Sequence, residues 1–324
     1  MSGEFDLIRQ YFTRKTPAVS VGVGDDCAVF NVPAGTQLAT STDLLLEGRH
    51  FFSDVSPYAL GHKALAVNLS DLAAMGAKPA GCLLGIGLPE LDNKWLEAFS
   101  AGFYDLANKH ACPLIGGDTT RSEQGIVISV TVFGSVTPPL LTRSSAKEND
   151  DIWVSGNLGA ADVALSLLMR LNRGQVLDKA ETALLEKTRS CLETPIPRVE
   201  LGMSLHNLAH AVIDISDGLL QDLGHILKAS AKGAVLYASQ LPVNPFIAGL
   251  DQEAVLKAVL GGGDVYELCF TAPPAVRDRI LQKGSELGIP VSRVGSITAE
   301  TGLKVLNEDL IEIHNLPYGF DHFR

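Results

Sequence analysis

Six aspartates sit where an apolar chain has least use for charge. Asp26 follows a glycine turn in GVGDDCAVF, Asp43 ends the strand-like run LATSTD, and Asp71 lies within AVNLSDLAAMGA. Asp118 follows two glycines in CPLIGGDTT, and Asp214 and Asp217 punctuate AVIDISDGLL. A carboxylate flanked by apolar residues is costly to bury unless it is paired, hydrogen-bonded or metal-bound. Each has a local explanation when taken alone. Asp217 suits a helix N-cap or first turn, Asp118 suits a glycine turn, and Asp71 could take a hydrogen bond from Asn68 one helical turn earlier. Six such positions with few basic residues nearby are better read as one constellation. Carboxylates, with the Ser41 and Thr42 oxygens beside Asp43, are what a hard cation such as Mg²⁺ requires.

The remaining composition bounds what such a cluster can serve. With 324 residues the chain is long enough for two domains, and 46% hydrophobic against 19% charged residues describes an ordered protein. The net charge is −11 and no Lys/Arg-rich block occurs, which argues against nucleic-acid or anionic-membrane partners. The five cysteines are far apart, without a C-x-x-C pair, and read as reduced core thiols. MSGEFDLIRQYF lacks the apolar core of a signal peptide, and no run approaches a membrane span. The expectation is a soluble cytoplasmic protein.

Periodicity predicts a short helix over 5–13, then three β-rich pieces, AVSVGVG, DCAVFNV and QLATSTDLLL. A long helix over 57–76 starts near Pro57 and stops at Gly76; a strand over PAGCLLGIGLP and a capped helix over DNKWLEAFSAGFYDLANKH follow. CPLIGGD reads as a short buried strand and GIVISVTVFGSV as a long one. Proline, polar residues and charge accumulate together only over 137–151, which places a boundary between domains at 1–140 and 141–324. The second half restarts with strand IWVSGNLG and helix AADVALSLLMRL, passes a helical stretch near 178–208 broken at ETPIPR, and runs strand AVIDIS into helix DGLLQDLGHILKAS. The fold class is two-domain α/β (α+β), with helices on one face of the first sheet.

The glycines of GVGDD are not a dinucleotide fingerprint, because Cys27 stands where the third glycine would be. No Gly-Lys pair exists, so there is no P-loop. A nucleoside triphosphate carries roughly four negative charges and would be repelled by acids alone, whereas bridging Mg²⁺ reverses that sign. The residues therefore point to a phosphate-handling enzyme without a P-loop, in which the glycines of IGGDTT let backbone approach the nucleotide.

At these motifs the chain resembles the thiamine-monophosphate kinases, in the superfamily of aminoimidazole ribonucleotide synthetase and selenophosphate synthetase. GVGDDCAVF, STDLLLEGRHF, NLSDLAAMGAKP, GGDTT, TRSSAKENDDIWVSG, DISDGLLQDL, GGGDVYEL and the ending GFDHF follow in family order over nearly the whole chain. The resemblance implies ATP-dependent phosphorylation of thiamine monophosphate to thiamine diphosphate by direct in-line transfer. It also implies a homodimer in which the N-terminal mixed sheet pairs with its twin, and a C-terminal α+β sandwich domain. Carried over, Asp26, Ser41, Thr42, Asp43, Asp71, Asp118, Asp214 and Asp217 would bind several Mg²⁺ ions, with Asp43, Asp118 and Asp217 central to catalysis. Gly117, Asp118, Arg143 and Ser216 would contact ATP, with Tyr104 a further candidate. His50, Asp264 or Glu267, and Phe320 would face the thiamine substrate. One departure stands out: where the family commonly reads G-G-E-D-Y-E-L, this chain has GGGDVYEL, with Asp264 and Val265 at the two acid positions.

Two other readings remain at this stage. One is another ATP-using synthetase of the same superfamily, acting on a small phosphorylated or selenium substrate. The other is a non-catalytic nucleotide or metal sensor that keeps the fold.

Overall fold

A computed structural model describes residues 4–16, 20–23, 27–317 and 319. The chain divides into two compact units: Met1–Leu72 with Ala77–Pro138, and Pro139–Arg324 with Ala73–Gly76.

In the first unit α1 (Glu4–Leu7) runs into a π-helical stretch, Ile8–Phe12, that buries Tyr11 and Phe12. Then come β1 (Gln37–Leu46), α2 (Pro57–Ala74), β2 (Lys78–Leu88), α3 (Asn93–Lys109), β3 (Leu114–Arg121) and β4 (Val127–Val136). The strands form a mixed sheet in the order β1-β4-β2-β3, in which β2 and β3 are parallel and the other pairs antiparallel. Side chains alternate between faces along a strand, so register assigns each residue to a face. Asp43, Val130 and Leu84 share one row, and Ser41, Val132 and Cys82 another, on the face that buries Ile86, Ile128, Val130 and Val132. Thr42 and Thr131 lie on the opposite face, as do Leu38 and Leu44, which remain 49% and 52% exposed.

Helix α2 covers the apolar face. It is buried nearly all round, from Leu60 through Ala64, Leu65 and Leu69 to Leu72, which is why its sequence reads as continuously apolar. Its partner α3 is capped by Asp92, whose side chain accepts from the Lys94 and Trp95 amides. The two helices touch backbone to backbone. A Cβ on Gly61 would lie 2.0 Å from the Phe99 carbonyl oxygen, and one on Gly102 would lie 1.9 Å from that of Tyr58.

The second unit contains β5 (Asp151–Ser155), α4 (Ala160–Asn172), α5 (Lys179–Glu193), α6 (Val199–Ser204), β6 (Ala211–Asp214), α7 (Leu219–Ser230), β7 (Gly233–Tyr237), α8 (Gln252–Gly261), β8 (Leu268–Ala272), α9 (Arg277–Leu287), β9 (Val291–Thr298) and β10 (Gly302–Leu306). Its six-stranded sheet has the order β10-β7-β9-β5-β8-β6, with only β10–β7 parallel. The central strands β5 and β8 and the edge strand β6 are buried at every position, the signature of a sheet covered on both faces. One core layer joins Ile152, Val154, Ile213, Leu223, Ile226, Leu260 and Val294, while the Trp153 and Phe270 rings stack 6.3 Å apart. No helix among the described residues is long and apolar enough to cross a membrane.

Three sequence expectations are corrected. AVSVGVG and DCAVFNV form no strands among their described residues; only the antiparallel bridge Val21–Val29 remains, because neither segment finds a sheet edge. Cys27 in that segment is exposed rather than a core thiol, whereas Cys82, Cys112 and Cys269 are buried. Strand β3 does not stop at Asp118 but pairs with β2 through Arg121, since β-branched Thr119 and Thr120 carry the extended run past the glycines.

Because the α2–α3 contact leaves no room for a methyl group, Gly102→Ala is expected to destabilise the protein by about 1–3 kcal/mol. Denaturant unfolding measures this; a loss below a few tenths of a kcal/mol contradicts the close-approach argument.

Candidate active site

Asp43 and Asp71 meet on the helix-covered face of the first sheet. Strand β1 brings Ser41 and Asp43 to that face, and α2 brings Asn68 and Asp71 to meet them one helical turn apart. Ser41 Oγ donates to Asp71 Oδ2 at 2.5 Å, and the Asp43 amide donates to Asn68 Oδ1 at 3.0 Å. Asn68 Nδ2 donates to the Ala64 carbonyl at 3.1 Å, so Asn68 ties β1 to α2 rather than binding Asp71. Burial, and next the charge of Asp71, push the Asp43 carboxyl up to about 7. No basic side chain forms an ion pair with Asp43 among the described residues. Two carboxylates, a hydroxyl and an amide oxygen make an all-oxygen donor set of the kind a hard cation takes.

The other first-unit candidates are dispersed around this pair. Thr42 faces away: its hydroxyl donates to the Val130 carbonyl at 3.0 Å and accepts from Thr131 at 2.9 Å. Asp118 is exposed and opposite Gly85, one row out of step with Asp43. Before it, Gly117 has φ +154°, and a Cβ there would lie 1.9 Å from the Leu84 carbonyl oxygen; only glycine fits. At the end of β1, His50 Nδ1 accepts from the Leu46 amide at 3.0 Å, which leaves the ring proton on Nε2. Tyr104 lies under the Arg14 guanidinium, 4.8 Å from its ring centroid, and its buried hydroxyl has no hydrogen-bond partner among the described residues. Asp26 and Phe320 lie outside the described residues.

In the second unit Asp214 ends β6, buried, and Ser216 and Asp217 form the turn into α7. Asp217 is not the N-cap of α7. Gly218 holds that position, and Asp217 Oδ2 accepts from Gln221 Nε2 at 3.0 Å. The turn is tied to the segment before β8: the Asp264 and Tyr266 amides donate to the Ser216 and Ile215 carbonyls, each at 2.8 Å. Asp264 and Tyr266 both have left-handed backbone, φ +59° and +56°, and the Tyr266 hydroxyl donates to Asp264 Oδ1 at 3.1 Å. Glu267 is committed elsewhere. Its carboxylate accepts from Arg198 Nε at 2.6 Å, from Arg198 Nη2, and from Ser155 Oγ at 2.5 Å. Arg143 is exposed; its carbonyl accepts from Ser230 Oγ at 2.9 Å. A Cβ on Gly319 would lie 2.8 Å from the Asp217 carbonyl oxygen, so Gly319 lies beside this turn.

The first unit thus brings together Ser41, Asp43 and Asp71, and the second brings together Ser216, Asp217 and Asp264. Among the described residues no three of His, Cys, Asp and Glu converge as a ready-made metal cluster. Sequence reasoning did not assign Asn68 its strand-to-helix tie, nor single out Arg198, which neutralises Glu267. It also passed over Asp222, whose burial, next to Asp214, pushes its carboxyl up to about 7. Asp222 stood in plain view five residues after Asp217, but its role depends on where three backbone amides point.

Family models for the AIR synthase related protein match 24–136 with the N-terminal domain and 147–306 with the C-terminal domain. A thiamine-monophosphate kinase of Escherichia coli K12 is 42% identical over 99% of this chain and 98% of its own length. The chain belongs to the thiamine-monophosphate kinase family. The crystal structure of a thiamine-monophosphate kinase from Stenotrophomonas maltophilia K279a superposes with a TM-score of 0.82 at 42% identity, covering 89% of this chain and 91% of that one. AaThiL complexed with AMPPCP and TMP superposes at 0.75 with 28% identity, covering 99% and 97%. The two-domain α/β architecture of this family is the one described above.

An unfolded aspartate titrates near about 4, whereas folded Asp43 does so at about 7. Between those values the folded protein holds a proton that the unfolded chain has lost, so Asp43 makes stability fall as pH rises through that window. Asn mimics the protonated acid. Asp43→Asn is therefore expected to raise stability above pH 7, without divalent cations, by about 1–4 kcal/mol. Thermal unfolding from pH 5 to 8 checks it; a variant less stable at every pH contradicts it.

Proposed function

We propose that the protein transfers the terminal phosphoryl group of ATP to the phosphate of thiamine monophosphate, forming thiamine diphosphate and ADP with Mg²⁺. The observation that carries this reading is the half-buried Asp43–Asp71 pair with its Ser41 and Asn68 oxygens, in a chain of this family. AaThiL binding AMPPCP and TMP supports the same pair of substrates here.

The acceptor is an ionised phosphate, so attack requires no general base; the task is to hold two anions together and in line. Bound there, Mg²⁺ would supply neutralisation of the phosphate charge. Asp43, Asp71 and Ser41 are proposed to hold it, with Asp26, Thr42 and Asp118 as further ligands and Asp214 and Asp217 as those of the C-terminal unit. Thr42 has its hydroxyl turned away and would contribute its backbone carbonyl. Gly117, Asp118, Arg143, Ser216 and the buried Tyr104 hydroxyl are proposed for ATP, the guanidinium matching phosphate oxygens bidentately. His50 would donate Nε2–H to the substrate, and Phe320 would stack on its cationic ring. Of the two acids in the segment before β8, Asp264 is assigned to substrate because Arg198 and Ser155 already take Glu267. The reading includes a cytoplasmic homodimer, with 1–140 binding ATP and Mg²⁺ and forming the dimer contact and 141–324 as the α+β partner domain.

ATP with Mg²⁺ should release ADP in the presence of thiamine monophosphate but not of thiamine or an aminoimidazole ribonucleotide precursor. Release with thiamine alone contradicts the acceptor, and no release with any of them favours a sensor. Asp43→Asn should lower kcat by about 100-fold or more while the fold persists. Asp264→Ala should raise KM for thiamine monophosphate about tenfold with KM for ATP unchanged; the reverse pattern contradicts its assignment.

A further inference from the structure

The turn before α7 poses a problem of backbone donors. The first amides of a helix have no partner inside it, and in phosphate-binding loops such amides cradle the ligand. Gly218, the N-cap, has no side chain to satisfy them. Asp222, from within the first turn, reaches back instead to the three amides that lead into the helix, up to and including the N-cap. Its Oδ2 accepts from the amides of Ser216, Asp217 and Gly218, at 3.1 Å each, and the residue is buried at 3% exposure. The Asp222 amide in turn donates to the Gly218 carbonyl at 3.0 Å, closing the turn. The geometry is that of an anion-binding nest already filled by the protein's own carboxylate.

We infer that Asp222 is a positioning residue that fixes the Ser216–Gly218 backbone before any nucleotide arrives, so that this turn reaches its ligands through side chains and not through amides. Ser216 and Asp217 are thereby aimed from a preformed turn that is also tied to Asp264 and Tyr266. This rests on the proposed roles of Ser216 and Asp217 for its functional part, and on hydrogen bonds alone for its structural part.

The test is residue-resolved amide hydrogen exchange by NMR on the full-length protein, first alone and then with Mg²⁺ and a non-hydrolysable ATP analogue. The Ser216, Asp217 and Gly218 amides should be protected in the protein alone and change little with nucleotide. Fast exchange that slows only with nucleotide would overturn the inference. In steady-state assays Asp222→Asn, which retains an acceptor oxygen, should keep most of kcat/KM for ATP. Asp222→Leu, which has none, should lose about 10–100-fold. Equal losses in the two variants would also overturn it, and if the Leu variant does not fold, the exchange result on the natural protein decides. Ser216→Ala with unchanged ATP kinetics would contradict the nucleotide-binding reading of the turn and leave the cap standing. Fast-exchanging amides would contradict the cap and leave that reading standing.

Discussion

Asp43 and Asp71 repel each other in a place that water reaches poorly, and the N-terminal unit is arranged around that conflict. Burial alone would favour two neutral acids, and a nearby cation would favour two charged ones. The unit keeps the acids close by fixing the backbone. Asn68 ties β1 to α2, Ser41 holds Asp71, and α2 is seated so deeply that neither strand nor helix is free to drift. The glycine contact between α2 and α3 serves the same end, because a helix held backbone to backbone presents Asn68 and Asp71 at a fixed height above the sheet. The site is therefore a property of the whole layer rather than of a loop.

Other buried acids show what a purely structural carboxylate looks like in this protein. Asp151 is held by Arg277 at 2.6 and 2.7 Å with Arg293 beside it, Glu267 by Arg198, and Asp150 by His210 and the Lys147 amide. Each is neutralised or solvated by a named donor at the cost of desolvation. Asp43 lacks a cationic partner among the described residues, and its carboxyl is pushed upward. Asp222 is intermediate: its pKa is raised by burial, yet three amides hold it. The distinction separates acids that complete the fold from acids that await a ligand.

Much of this was legible in the residues. Apolar alternation in VISVTVFGSV and continuous burial in α2 mark their elements directly, and the Asp92 cap is visible as Asp-Asn-Lys before Trp95. Asp43 and Asp71 stood out because charge inside an apolar run has few inexpensive explanations. The faces of the sheet were not legible. Register decides that Thr42 and Asp118 lie out of step with Asp43, and register comes from pairing between distant segments. Glu267 looked as suitable for substrate as Asp264 until Arg198, 69 residues earlier, was found on it. The segment around Val21 carried β propensity without a neighbouring strand, and propensity without pairing made only a bridge.

The most direct test of the central claim is the titration of the Asp43 carboxyl carbon by NMR, assigned with Asp43→Asn and recorded with and without Mg²⁺. In the metal-free protein the midpoint should lie at about 7, as burial and Asp71 require, and it should shift clearly downward when Mg²⁺ binds. A metal-free midpoint near the ordinary aspartate value of about 4, unmoved by Mg²⁺, would contradict the claim.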